Sequence, residues 1–167
     1  IVDFYPNYVP PPAQPVHYND HIKLKLNGLD IYISPTYYRV GYFWPNITDM
    51  PGTLYLKKQS DLNATSVIHD GDTVILFTVN NYDGQGDFNK LSVYNSKPLY
   101  YYNETGPREQ WIIRKGQAGA EIYTGDYIWL ESVDYSKQML TIYNTALGTG
   151  LNTETMDLPT RWIIDKA

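Results

Sequence analysis

The chain has 167 residues, no cysteine and a formal net charge of −5 at neutral pH. This is the length of one ordinary domain, and the lack of cysteine excludes disulfides, thiolate metal sites and a cysteine nucleophile. The acidic balance argues against nucleic acid or an anionic membrane as a partner, because both select for a basic surface. No stretch approaches the ~18 apolar residues that a membrane span requires.

The first 16 residues hold five of the 11 prolines. Proline fixes φ and removes a backbone donor, so residues 1–16 are predicted to form an extended, polyproline-like arm. The arm also carries the rings of Phe4, Tyr5 and Tyr8. An arm with this much apolar surface packs on its own domain or on a neighbouring subunit, and both alternatives stay open.

Residues 17–167 alternate short apolar segments with turn residues, and no window keeps a 3.6-residue period, so we expect almost no helix. Three kinds of segment recur in the same order, at offsets of 54, 49 and 51 residues. They are a Gly-Asp turn with its strand (68–76 and 122–130), a Leu-x-Val/Ile-Tyr-Asn strand (91–95 and 140–144) and a Trp-Ile-Ile strand (111–115 and 162–166).

A weaker copy precedes these two, so the sequence predicts three repeats at about 17–60, 61–116 and 117–167. In the first copy, the three kinds of segment are represented by 19–26, 29–32 and 54–58. The first copy lacks the Gly-Asp turn, and Leu54 replaces tryptophan.

The first repeat also contains an insertion that is rich in aromatic residues, at 34–52. Its side chains Tyr38, Tyr42 and Trp44 form the largest aromatic patch of the chain. Such a patch marks contact with a partner when it is exposed. It could equally fold over the end of the domain.

One copy of four short strands cannot bury its apolar face alone, whereas three copies can close a six-stranded barrel that three hairpins cap at one end. The predicted fold is therefore an all-β β-trefoil, and a β-sandwich is less suitable because it gives no reason for the ordered repeat. Twelve repeated apolar side chains are expected to point inward: Val74, Leu76, Leu91, Val93, Trp111, Ile113, Ile128, Leu130, Leu140, Ile142, Trp162 and Ile164.

The Gly-Asp, Leu-x-Val/Ile-Tyr-Asn and Trp-Ile-Ile strands resemble the repeats of the β-trefoil superfamily, which includes lectins, protease inhibitors, fascins and growth factors. The resemblance covers 17–167 and implies a fold, not a subfamily. Ricin-type lectins carry Gln-x-Trp in each repeat, whereas here Gln110 directly precedes Trp111 and Arg161 precedes Trp162. Kunitz-type inhibitors usually have disulfides, which this chain lacks, so no family's binding residues carry over.

Catalytic motifs are missing from the sequence, which has neither Gly-x-Ser-x-Gly nor His-Glu-x-x-His and only three histidines. We therefore expect a protein that is not an enzyme and needs no cofactor. Sugar binding, in contrast, needs aromatic rings beside planar polar side chains. Such pairs occur in the second and third repeats, and the candidates for ligand binding are Tyr82, Asp83, Tyr100, Tyr102, Asn103, Trp129, Tyr143 and Asn144.

Oxygen-bearing side chains recur at alternate positions in one glycine-rich segment, at Asp83, Gln85, Asp87 and Asn89. This spacing is typical of loops that wrap Ca²⁺, although the closing bidentate glutamate of an EF-hand is missing. A glycine-rich hairpin loop is the favoured interpretation, and a Ca²⁺ site is the alternative.

The sequence thus favours a binding protein that recognises a glycan or cell-surface ligand. Glycosylation sequons begin at Asn46, Asn63 and Asn103, and they are compatible with secretion or with a virion or cell surface. One alternative is a structural subunit of a larger assembly, such as a virion surface or a filament, held by the arm. A protease inhibitor is the second alternative.

Overall fold

The computed structural model describes residues 9, 11–33, 37–39, 42–45, 47–78, 87–93, 99–144, 148–152 and 161–167, without the side chains of the residues at 37–39, 42–44, 47, 142–144 and 148–152. These residues form 14 strands: β1 (Ile22–Leu26), β2 (Tyr32–Ile33), β3 (Tyr37–Arg39), β4 (Tyr42–Trp44), β5 (Ile47–Thr48), β6 (Leu54–Lys58), β7 (Thr73–Thr78), β8 (Lys90–Ser92), β9 (Tyr100–Tyr102), β10 (Gln110–Arg114), β11 (Tyr127–Ser132), β12 (Met139–Asn144), β13 (Gly148–Asn152) and β14 (Trp162–Lys166). The one helical element within the described part is a 3₁₀ turn at Pro107–Glu109.

Six strands close a barrel. The antiparallel pairs run β1–β6, β6–β7, β7–β10, β10–β11, β11–β14 and β14–β1, so the last strand of the chain returns to the first. The closing pair is in register from Ile22 opposite Lys166 to Leu26 opposite Trp162. Because every barrel strand has two neighbours, the barrel has no free edge. The all-β class and the six-stranded barrel of the prediction are confirmed.

The repeated apolar side chains fill the barrel. Of the 12 predicted to point inward, the 11 whose side chains are described are at most 1% exposed, and Ile142 lies outside the described side chains. The two tryptophans occupy equivalent places. Trp111 donates its indole N–H to the carbonyl of Leu91 at 3.2 Å, and Trp162 donates to Leu140 at 3.0 Å. Each indole thus joins a barrel strand to the hairpin of its own repeat.

Three backbone hydrogen bonds form a ring around the axis that relates the repeats. Val16 N donates to Ile122 O at 2.8 Å, Ile122 N donates to Ile68 O at 2.8 Å, and Ile68 N donates to Val16 O at 2.9 Å. All three residues are fully buried. Val16, the last residue of the predicted arm, thus joins one residue of the second repeat and one of the third, and each satisfies the next, as buried backbone groups require.

The first repeat has no Gly-Asp pair, yet it keeps the turn, which Asn19 and Asp20 form in its place. Asn19 has φ 67° and stands where Gly71 and Gly125 have φ 95° and 86°. The following aspartate caps the turn in every repeat, for Asp20 accepts the N–H of His17 at 2.8 Å just as Asp72 accepts that of His69 at 2.9 Å. Asparagine can replace glycine here because it tolerates the left-handed region better than other residues with a side chain.

The alignment of the second strand of the first repeat also needs correction. The repeat alignment matches Leu29 with a core leucine of the later repeats. In the structure, however, Leu29 is 47% exposed in the turn after β1. The strand begins three residues later, at Tyr32, and buries Ile33 completely. The tight turn at 27–30 delays the strand, and Gly28 makes this turn possible with φ 83°.

The end of the arm and the insertion both contact their own domain. Gln14 N donates to the Thr124 hydroxyl at 3.0 Å, and Thr124 N donates to Gln14 O at 2.8 Å. In the insertion, β3 and β4 pair as a hairpin, and β4 lies beside β9. The predicted partner contacts remain predictions, because the structure describes neither Phe4, Tyr5 and Tyr8 nor the side chains of Tyr38, Tyr42 and Trp44.

Candidate ligand-binding face

Strand β11 presents a row of polar and aromatic side chains on the outside of the barrel. Ile128 and Leu130 belong to the core, so the alternating residues Tyr127, Trp129 and Glu131 point away from it. Tyr127 is 48% exposed, whereas Trp129 is only 8% exposed. We call Tyr127, Trp129 and Glu131, with the flanking Arg114, Lys137 and Arg161, the β11 face.

A groove of about 560 Å³ lies at the Glu131 end of this face. Its lining includes Arg114, Glu131, Lys137 and Met139. The Nε and Nη2 atoms of Arg114 each lie 3.2 Å from Glu131 Oε1, so both groups are held in place beside the groove. Glu131 Oε2 accepts the backbone N–H of Lys137 at 3.2 Å.

Lys137 has an unusual backbone conformation, with φ 66°. For a residue other than glycine or asparagine, the left-handed region is unfavourable by about 1–2 kcal/mol. Lys137 is exposed at the groove, and among the described residues its ammonium group has no ion-pair partner. A strained position that keeps a charged side chain is an observation that points to function.

At the other end of the face, the guanidinium of Arg161 lies 4.4 Å from the centre of the Tyr127 ring. This is a cation–π contact on a ring that is half exposed. Two donors of this face, the indole N–H of Trp129 and the Nε–H of Arg161, are buried and have no hydrogen-bond partner among the described residues. A buried donor without a partner is unfavourable by about 1–3 kcal/mol, so each needs an explanation.

Of the residues predicted in the third repeat, the structure places Trp129 on the β11 face. Tyr143 and Asn144 lie on β12, with side chains outside the described ones. The sequence reasoning missed Tyr127 and Glu131, although strand alternation around Ile128 and Leu130 could have indicated them.

The candidates predicted in the second repeat lie elsewhere. Tyr100 and Tyr102 are partly exposed on β9, Tyr101 between them is buried, and Asn103 is exposed directly after the strand. The Tyr102 ring meets Phe88 edge-on at 5.9 Å. Since β9 pairs with β8 and not with a barrel strand, this group is separate from the β11 face. Tyr82 and Asp83 lie outside the described residues, and binding at these positions remains a prediction.

The predicted Ca²⁺ loop is described only in part, since Asp83 and Gln85 lie outside the described residues. Asp87 is exposed, and its carbonyl accepts the ammonium of Lys90 at 2.9 Å. The side-chain oxygen of Asn89 is buried and has no hydrogen-bond partner within the described part of the chain. Within the described part of the chain, no three or more histidine, aspartate or glutamate side chains cluster in a way that could hold a metal ion.

The buried carboxylate of Glu109 has a structural role. Glu109 is completely buried, accepts the hydroxyl of Ser92 at 2.5 Å and accepts the N–H of Gly106 at 3.0 Å. Burial raises the pKa of Glu109, and these hydrogen bonds offset the rise in part. The carboxylate ties β8 to the 3₁₀ turn before β10.

Comparison with solved structures shows the fold. The chain superposes with a TM-score of 0.63 on lysenin in complex with phosphocholine, at 13% identity over 89% of this chain and 45% of lysenin. For an SDF2-like protein from Arabidopsis thaliana the TM-score is 0.69, at 13% identity over 90% of this chain and 94% of that one. For the water-soluble chlorophyll protein from Brassica oleracea with chlorophyll-b, it is 0.64 at 14% identity over 92% and 94%.

The chain thus spans about half the length of the lysenin chains that it matches. No protein-family model and no curated protein matches it. The solved structures are consistent with a β-trefoil-like fold and, at this identity, show the fold alone. Across the described residues, no helix has the length and apolar character that crossing a bilayer requires.

Proposed function

We propose that this protein is a non-enzymatic binding protein that recognises a glycan or cell-surface ligand outside the cell, and that it does so at the β11 face. The observation that carries the proposal is the half-exposed ring of Tyr127, which has the Arg161 guanidinium 4.4 Å from its centre and shares its strand face with Trp129, whose buried N–H has no partner among the described residues. An apolar surface beside unused donors is the combination that a sugar ring needs, since it has an apolar face and hydroxyl groups at its edge.

The geometry of the face supports a ligand of several groups in a row. Tyr127 and Glu131 are four residues apart on one strand, which separates them by about 13 Å. The ligand would place an apolar face on Tyr127 and extend past Trp129 into the groove beside Glu131. The barrel strand beneath is paired with β10 and β14, so we expect little ordering of the protein on binding.

The comparisons support a binding role for a fold of this kind. The lysenin structure holds phosphocholine, and the Brassica protein holds chlorophyll-b. These ligands differ in size and polarity. Binding sites are added to a common fold by local residues, so the ligand of this chain has to be argued from its own side chains.

The test is a glycan array probed with the wild-type protein and with Tyr127→Ala. Because Tyr127 is half exposed, its truncation should leave the fold intact and lower the affinity at least tenfold. Leu29→Ala is the matched control, since Leu29 is 47% exposed in the first repeat, outside the β11 face. An array without any ligand, or equal binding by both variants, would contradict the proposal.

Two of the sequons support an extracellular location, because Asn63 and Asn103 are both exposed outside strands. In a secretory host we expect a glycan at each, seen as a mass decrease on treatment with an N-glycosidase. Asn63→Gln and Asn103→Gln should each remove one glycan. An unchanged mass would remove this support. A glycan at Asn103 would also exclude Asn103 as a ligand-binding residue.

A structural subunit of an assembly is the second candidate, and an exposed apolar side chain favours it. Val9 is 81% exposed, and residues 11–14 are exposed up to the point where the chain meets the third repeat. Val16 belongs to the core, so a clean test removes residues 1–13 only. If the arm holds an assembly, light scattering should show oligomers for the full chain and monomers for the truncated one. A monomeric full chain at high concentration would contradict this alternative.

A further inference from the structure

We infer that the ligand of the β11 face carries a carboxylate, which makes an acidic glycan the preferred class. The inference rests on the proposed function and names the substrate class for that site. It follows from which hydrogen-bonding groups of the face are already used and which are not.

The acceptors of the face are used by the protein itself. Glu131 accepts Arg114 through Oε1 and the Lys137 backbone N–H through Oε2. Asp70, also at the groove, accepts the N–H of Lys115 at 3.1 Å through one oxygen and that of Gln117 at 2.8 Å through the other. Each oxygen of both carboxylates thus already accepts a hydrogen bond from the protein, which leaves fewer lone pairs for the hydroxyl protons of a neutral sugar.

Three unused groups of the face can only donate. The indole N–H of Trp129 and the Nε–H of Arg161 have no partner, and Lys137 forms no ion pair among the described residues. An indole N–H and a guanidinium N–H can only donate, and an ammonium group likewise. A ligand that used these three groups would therefore supply acceptors.

The charges agree with this assignment. Arg114, Lys137 and Arg161 place three positive charges along the face, against the two negative charges of Glu131 and Asp70. The rest of the chain is acidic, with a net charge of −5 overall. A local positive site on an acidic protein selects an anion at short range. A carboxylate matches a guanidinium and an N–H donor better than a neutral hydroxyl does, because charge-assisted hydrogen bonds are stronger.

The experiment compares acidic glycans with the same glycans after esterification. Sialyl- and glucuronyl-terminated oligosaccharides are immobilised beside their methyl esters, which keep the sugar and remove the charge. We expect the acids to bind at least tenfold more tightly than the esters, with the difference shrinking at high salt. Equal binding of acid and ester would overturn the inference and leave the proposed function standing. If no glycan bound, whether acidic or neutral, the proposed function would fall as well.

Three variants locate the interaction. Trp129→Phe keeps an aromatic ring and removes a donor that has no partner in the protein, so its Tm should be unchanged or higher while the preference for the acid falls. Lys137→Gln should reduce the preference several-fold. Lys23→Gln makes the same change of charge on β1, outside the face, and should have no effect.

Two results would overturn the placement. One is a large drop in Tm for Trp129→Phe with unchanged binding, which would give the indole N–H a structural role. The other is an equal loss for Lys137→Gln and Lys23→Gln, which would reflect the overall charge and not the face.

Discussion

Among the described residues, two that are not glycine, Asn19 and Lys137, adopt left-handed backbone conformations, for different reasons. Asn19, at φ 67°, donates to the carbonyls of Leu62 at 3.1 Å and Ala64 at 2.9 Å and accepts the Lys57 ammonium at 2.7 Å. The side chain of Asn19 thus makes hydrogen bonds that a glycine could not make. Lys137, at φ 66°, forms no hydrogen bond through its side chain within the described residues.

Substitution by glycine should therefore have opposite effects at these two positions. Asn19→Gly removes three hydrogen bonds, and we expect it to lower the free energy of unfolding by about 1–2 kcal/mol. Lys137→Gly relieves the left-handed strain and should raise it by about 0.5–1 kcal/mol while weakening ligand binding. Urea denaturation measures both, and the same sign for the two variants would contradict this account.

The buried Glu109 predicts a dependence of stability on pH. Because burial raises the pKa of Glu109 in the folded state, its ionisation lowers stability, and its protonation restores stability as the pH falls through the folded-state pKa. Glu109→Gln can still accept from Gly106 and pair with Ser92. It should be more stable than the wild type at pH 8, and the gap should close toward the ordinary glutamate pKa of about 4.3. Thermal unfolding between pH 4 and 8 tests this, and a gap that widens in acid would contradict it.

At the scale of elements, the indole bridges show how the closing strand of a repeat is held to its hairpin. Trp111 and Trp162 fill the core and each satisfies a buried carbonyl, of Leu91 and Leu140. The first repeat has Leu54 at this place, fully buried and without a donor. The second and third repeats therefore depend on their tryptophans in a way that the first does not.

Leucine is the residue at the equivalent position of the first repeat, but replacing Trp111 by leucine should lower the stability of the protein. The variant leaves a cavity and an unpartnered carbonyl at Leu91, so we expect a loss of about 3–5 kcal/mol in the free energy of unfolding. Trp111→Phe fills more of the space and should lose less. Equal stability of Trp111→Leu and the wild type would show that the second repeat repacks around the smaller side chain.

The repeats were predictable because their spacing is kept, and the errors arose where one residue type substitutes for another. Asn19 hid the first turn because its backbone conformation is not visible from its identity. On β11, alternation with Ile128 and Leu130 could have placed Tyr127 and Glu131 on one face. Arg161 could not have been placed there, because it reaches Tyr127 only through the β11–β14 pair, across more than 30 residues of sequence.

At the scale of the whole molecule, the barrel is closed by its last strand. β14 pairs with both β1 and β11. The ammonium nitrogen of Lys166 also lies 3.7 Å from Oδ2 of Asp20, at the turn that precedes β1. The first and last repeats are thus as firmly joined as neighbours in sequence.

Deleting residues 161–167 should accordingly unfold the whole domain and not merely its end. The deletion would expose the edges of β1 and β11 and remove the buried Trp162 and Ile164. We expect the cooperative thermal transition to disappear, as measured by circular dichroism. Deletion of residues 1–13 is the control and should change the Tm little, and a cooperative transition in the C-terminal deletion would contradict the prediction.

The ring of Val16, Ile68 and Ile122 has a consequence for how the protein is made. Each member of the ring bonds to residues more than 50 positions away in the sequence. The ring therefore cannot form until the chain beyond Ile122 has left the ribosome. Such non-local closure is slow. We expect the first two repeats to expose apolar strands during that interval, and therefore to be recognised by chaperones during synthesis.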